Sequence, residues 1–152
     1  MATTVIRLGD ARDKSTLVAF NQAMALQTEG LELPAAVVTA GVTKILENPQ
    51  HGFYLIAQCG TEVAGSLMVT NEWSDWRNGN FWWIQSVYVR PEYRRQGIYR
   101  QLYQHMKILA ADSEDICGFR LYVERDNRVA QETYQALGMR PTHYQMYEEI
   151  IE

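Results

Sequence analysis

An apolar strand pattern that runs into a basic turn, a glycine and an amphipathic helix fixes the centre of this chain. The stretch reads Val87-Tyr88-Val89-Arg90-Pro91-Glu92-Tyr93-Arg94-Arg95-Gln96-Gly97-Ile98-Tyr99-Arg100. A strand end, a tight turn and a helix N-terminus place main-chain N–H groups on one concave surface. The amides of the first helical turn have no partner inside the helix, and the helix dipole adds about half a positive charge there. Gly97 keeps that surface clear of a Cβ. The arrangement suits a phosphate-bearing ligand, with Arg94, Arg95 and Arg100 able to pair with its oxygens. An ordinary strand–turn–helix connection with a solvated basic loop gives the same pattern, so this stretch alone leaves both readings open. It contains neither the Gly-Lys-Ser/Thr of a P-loop nor the Gly-x-Gly-x-x-Gly of a dinucleotide fold.

The 152 residues suffice for one domain with a core. Apolar residues make up 47% and charged residues 21%, which fits a globular rather than a disordered chain. A net charge of −4 gives no field that favours nucleic acid. No apolar run reaches the roughly 18 residues of a membrane span, and the N-terminus lacks a secretory pattern. Cys59 and Cys117 stand far apart and read as reduced, buried, structural residues. Together these features predict a cytoplasmic protein.

Along the chain, residues 5–8 read as a short strand and Asp10 as the cap of the following helix. Leu17, Phe20, Met24 and Leu26 give that helix its apolar face, to about Thr28. Pro34 opens a second helix that runs to Glu47. Residues 53–57 and 63–70 form a hairpin around the turn at 59–62. Asn78-Gly79 marks another turn, before a long central strand over 81–89. A helix over 97–111 buries Ile98, Leu102, Met106 and Leu109. A strand over 119–123, a helix over 127–137 ended by Gly138, and a last strand over 142–150 complete the chain. The order β-α-α-β-β-β-α-β-α-β predicts an α/β fold with one mixed, mostly antiparallel sheet flanked by helices.

A second strand-turn-helix unit follows, from Leu121 through Asn127, Ala130 and Tyr134 to Gly138. The two stretches together resemble the GCN5-related N-acetyltransferase (GNAT) superfamily. Arg94-Arg95-Gln96-Gly97-Ile98-Tyr99 matches its acetyl-CoA motif, with Tyr99 where Gly or Ala is usual. The second stretch matches strand-Asn-x-x-Ala-x-x-x-Tyr-x-x-x-Gly, and the order of elements agrees over nearly the whole chain. A side chain as large as Tyr99 must point away from the phosphates.

The resemblance implies a single N-acetyltransferase domain over 1–152 that uses acetyl-CoA as co-substrate and needs no metal. It implies that the central strand splays from its neighbour and that the pantetheine arm fills the gap. Val87, Tyr88 and Val89 then offer main-chain groups to the arm, the Val87 N–H polarising the thioester carbonyl. Residues Arg94, Arg95, Gln96, Gly97, Ile98, Tyr99 and Arg100 hold the pyrophosphate, and Asn127 contacts the arm, although it can equally cap its helix. Tyr134 is the implied acid for the departing thiolate, a phenol of pKa about 10 facing a thiol of about 8.5.

The acceptor implied is a primary amine, most simply that of a small molecule; a protein lysine or N-terminus is the alternative. So is an acetyl-CoA-binding module without turnover. Many relatives carry a Glu on the central strand as base, where this chain has Gln85. Glu72, Glu29 and His51 are the candidates left, each equally readable as a solvated surface group. Acidic residues and indoles at Glu29, Glu32, Glu72, Trp73, Asp75 and Trp76 suit a cationic amine. The Trp-rich segment can also supply a homodimer interface.

Overall fold

The computed structural model describes residues 3–152. By its contacts the chain forms two compact units, Met1–Leu121 and Tyr122–Glu152.

The first unit is built on a five-stranded sheet, β1 Thr4–Leu8, β2 Gly52–Cys59, β3 Glu62–Ser74, β4 Gly79–Val89 and β5 Ile116–Arg120, in that spatial order. The first four strands pair antiparallel and β5 joins β4 in parallel. The mixed, mostly antiparallel sheet is as expected. Its helices are α1 Lys14–Glu29, α2 Ala35–Glu47 and α3 Ile98–Ala111.

Sheet alternation sorts the core. Tyr54 and Ile56 of β2 pack with Leu17 of α1 and Val42 of α2. Their neighbour Leu55 points the other way, opposite Leu67 of β3. Ile98 of α3 comes against Gly65, on the Leu67 side of β3. Both sheet faces are therefore covered, and Leu17, Leu55, Ile56, Leu67 and Leu102 are fully buried. Each such side chain contributes about 1.5–3 kcal/mol.

Asp10 caps a 3-10 turn at Ala11–Asp13 that leads into α1. Its carboxylate accepts from the Arg12 amide, and its own amide donates to Asp13. Asp13 is buried and makes two hydrogen bonds, 2.8 and 2.9 Å, with Arg7 of β1.

Several sequence expectations need correction. Leu26 is exposed and Ala25 is buried in its place. Nine residues at about 100° each put Leu26 on the far side of the helix from Leu17. On α3 the buried stripe takes Tyr103 and Ala110, and Leu109 sits at its margin. Strand β3 runs four residues past Thr70, because Asn71, Glu72, Trp73 and Ser74 pair with residues 79–82 of β4. The next strand lies at Ile116–Arg120 instead of 119–123, since its ladder with β4 ends at Arg120. Both cysteines are free, and Cys117 is exposed rather than buried.

The second unit contains α4, Arg128–Ala136. The helix ends as expected at Gly138, whose φ of 103° lets the Met139 amide reach back to Tyr134 O and the Gly138 amide to Gln135 O. Residues 142–150 form no strand. A strand is held by ladder bonds, and this unit offers no second strand to pair with.

Candidate active site

The site is built where β4 parts from β5. The two strands are in register from Asn80↔Ile116 to Trp83↔Arg120 and no further. Strand β4 continues to Val89, still paired with Gly65 of β3. One edge of β4 therefore has no strand partner over 84–89 among the described residues.

A bulge decides which groups face that open edge. Ser66 pairs with Tyr88 and Met68 with Gln85, so Ser86 and Val87 together oppose Leu67. Ser86 takes a φ of 51° to fit the extra residue. Before the bulge the Asn80 amide donates toward β5, to Asp115 O at 2.7 Å. After it the Arg90 amide donates toward β3, to Ala64 O at 2.8 Å. Main-chain direction alternates along a strand. Without the bulge, even-numbered residues would keep facing β5. With it, the N–H and C=O groups of Val87 and Val89 turn to the open edge. Those of Tyr88 turn to β3. Its buried ring instead packs 4.8 Å from Phe20 of α1.

The open edge leads to the start of α3. Pro91–Tyr93 form a 3-10 turn, Arg95 and Gly97 have φ of 62° and 76°, and α3 follows. Its first helical hydrogen bond is Gln101 N to Gly97 O, 3.0 Å. The amides of Ile98 and Arg100 thus have no backbone acceptor among the described residues. Arg95 and Arg100 are exposed, and the Gln96 side chain turns back to Glu92 O. Tyr99 lies along the helix with its ring 6.2 Å from that of Tyr103. Arg94 is already engaged: it donates to Val89 O and to Gln27 Oε1, each at 2.9 Å.

A polar group lies on the α1–α2 face of the sheet. Glu72 Oε1 accepts from Trp83 Nε1 at 3.0 Å and from Arg120 Nη1 at 2.7 Å. The Arg120 guanidinium stands 3.6 Å from the centre of the Phe81 ring. Gln85 donates to Thr70 Oγ1 at 2.7 Å. Sequence reasoning missed Arg120; the signal available was a cation closing an otherwise uncharged strand. Glu29, Glu32 and His51 are exposed, as are Trp73 and Trp76.

In the second unit, Asn127 Oδ1 accepts from the Ala130 amide at 3.2 Å and so caps α4. Tyr134 is half-buried, and burial pushes its phenol above the ordinary value.

Residues 21–139 match the family described as the acetyltransferase (GNAT) family. The chain belongs to this family. A possible acetyltransferase from Clostridium difficile is 45% identical, with 98% of this chain and 99% of that one covered and a TM-score of 0.91. Among curated proteins, a thialysine N-epsilon-acetyltransferase from Caenorhabditis elegans is 37% identical over 70 residues, which is 45% of this chain and 42% of that protein. The chain thus spans under half the length of this relative. Aminoglycoside acetyltransferase AAC(6')-Iy, in complex with a bisubstrate analogue of CoA and acetylneamine, shares the fold at a TM-score of 0.79 with 16% identity, 99% of each chain being covered. No described helix of this GNAT protein is long and apolar enough to cross a membrane.

Proposed function

We propose that this GNAT protein, acting as one domain over 1–152, transfers the acetyl group of acetyl-CoA directly to the primary amine of a small molecule. The observation that carries the reading is the continuity of the bulged, unpaired edge of β4 with the amides at the start of α3. A pantetheine arm needs a line of main-chain partners, and a diphosphate needs converging donors; the two lie end to end. The small amine is supported by the names of relatives, a thialysine acetyltransferase and an aminoglycoside acetyltransferase. No metal is part of the reading. The free thiols of Cys59 and exposed Cys117 suit a reducing cytoplasm. The exposed Trp73 and Trp76 suit a homodimer surface.

On this reading the Val87 N–H donates to the thioester oxygen as negative charge develops there. Val89 holds the arm by its amide, its carbonyl being taken by Arg94. The amides from Arg95 to Arg100 hold the diphosphate. Asn127 uses its side-chain carbonyl in the cap and has its amide group left for the arm. Tyr134, kept protonated by burial, delivers a proton to the leaving thiolate. A lysine-like amine is neutral in roughly one molecule in 2,500 at pH 7, a cost of about 4.6 kcal/mol. Gln85, bonded to Thr70 on the central strand, cannot take that proton, and we assign its departure to water.

The test is thiol release from acetyl-CoA over a panel of polyamines, aminoglycosides, amino acids and peptides. Release with small amines is expected. Turnover with peptides alone would assign a protein substrate. Tight acetyl-CoA binding without release would leave a binding module.

A further inference from the structure

Resting on the reading that the α3 turn holds a diphosphate, we infer that Arg94 is a positioning residue that ties this turn to the last turn of α1 through Gln27. Its Nε donates to Val89 O and its Nη2 to Gln27 Oε1, while its guanidinium stands 5.5 Å from the centre of the Tyr88 ring. The other end of Gln27 closes the circuit, with Nε2 3.4 Å from the Tyr88 hydroxyl. Tyr88 packs on Phe20 of the same helix, and Arg90 lies over Phe20 with its Nε on Val63 O.

Two of the five N–H donors of Arg94 and one face of its guanidinium are thereby committed within the protein, and swinging the side chain away would break all three contacts. A guanidinium is well suited to this use, because its planar fork bonds two acceptors while its face covers an aromatic. Its neighbour Arg95, at φ 62° and exposed, has no such commitments among the described residues and is the free cation of the turn. The tie has a consequence at the other end. Gln27 lies two residues before the end of α1, and Gly30, at φ 64°, starts the link to α2. The turn that carries the amides and the segment that opens toward Glu29 and Glu32 are thereby held by one side chain. Arg94 acts by pre-ordering the turn, so that less freedom is lost when a ligand binds.

The experiment has two readouts. Without cofactor, exchange of the hydrogen-bonded amides that frame the turn, those of Tyr93, Arg94 and Gln101, should quicken about fivefold in Gln27→Ala, the range of an exposed charge-assisted contact. With acetyl-CoA, Arg94→Ala and Gln27→Ala should each weaken binding about fivefold, and the double variant no further. Gln27→Glu, which keeps the acceptor, should bind like the native chain. The salt dependence of binding in Gln27→Ala should match the native chain, because no charge is changed. Native exchange in Gln27→Ala would overturn the inference. So would a loss of affinity in Arg94→Ala far larger than in Gln27→Ala, which would make Arg94 a phosphate ligand. Failure of the native chain to bind acetyl-CoA would instead sink the functional reading, and the exchange measurement would still decide the tie.

Discussion

Placing a methyl group at Gly97 separates the structural from the functional demand on the turn. Its φ of 76° costs an L residue about 1–2 kcal/mol. About 0.4–1 kcal/mol of this is offset, because Ala also narrows the unfolded ensemble. No heavy atom beyond its chain neighbours lies within 4 Å of the added Cβ, so there is no clash to add. Gly97→Ala should therefore lose about 1 kcal/mol, a fall in Tm of about 2–4 °C for a chain of this size. On the proposed reading, phosphate oxygens come within about 3 Å of the Ile98 and Arg100 amides next to this position, and the added methyl group crowds them. Acetyl-CoA binding should weaken at least about tenfold, or about 1.4 kcal/mol. Gly97→Asn isolates the second effect: Asn tolerates this backbone region better, so it should melt closer to the native chain and yet bind as poorly as the Ala variant. Thermal denaturation and titration calorimetry on both variants provide the check. Variants that melt early but bind acetyl-CoA like the native chain would place the diphosphate elsewhere.

Other expectations follow from single contacts. Tyr134→Phe should lower turnover about 10²-fold with cofactor affinity unchanged, measured by steady-state kinetics beside direct binding; undiminished turnover would remove the phenol from the reaction. Arg95→Glu should weaken acetyl-CoA binding and leave the remainder less sensitive to salt, and equal affinity would speak against the assigned turn. Asp13→Asn should cost about 3 kcal/mol, the low end for breaking a buried ion pair, because the Arg7 side chain keeps 23% of its exposure. Burial alone would push Asp13 up, but Arg7 and the Asp10 amide outweigh it and hold its pKa below the usual value. That contribution is complete above about pH 4 and fades as pH falls through the depressed value. Acid melts of the Asn variant should accordingly show a shallower loss than those of the native chain.

The helices were legible because their periodicity is strong and their ends carry punctuation: Pro34 before α2, Gly30 and Gly138 after α1 and α4. The motif at Arg94–Tyr99 was legible because a glycine and free amides must coincide there. Strand limits were not, where pairing overrode composition. Asn71-Glu72-Trp73-Ser74 reads as loop, and only the facing strand makes it β3. The bulge had no signal either. Ser86 is an unremarkable residue in an apolar run, and its positive φ arises from the mismatch with Leu67. That one extra residue decides that Val87 and Val89, rather than Tyr88, face the open edge. The engagement of Arg94 was equally hidden, since Gln27 is 67 residues away in sequence.

The same geometry makes a claim about pH. A general base on the enzyme would impose its own pKa on kcat/KM, with a plateau above it. Gln85, on the central strand, is unsuited to that task. The Gln85 amide cannot accept a proton and is bonded to Thr70. On the proposed water route, the neutral amine fraction sets the rate. For an acceptor of pKa about 10.4, log kcat/KM should rise by about one per pH unit from 6.5 to about 9.5. With Tyr134 as the proposed acid, which acts only when protonated, the falling limb is its own. Burial raises its pKa above the ordinary value of about 10, so activity is lost only as pH climbs through that raised value. Glu72→Gln should leave the shape of the profile unchanged. A plateau that begins near pH 7 and disappears in Glu72→Gln would make Glu72 the base and overturn the water route.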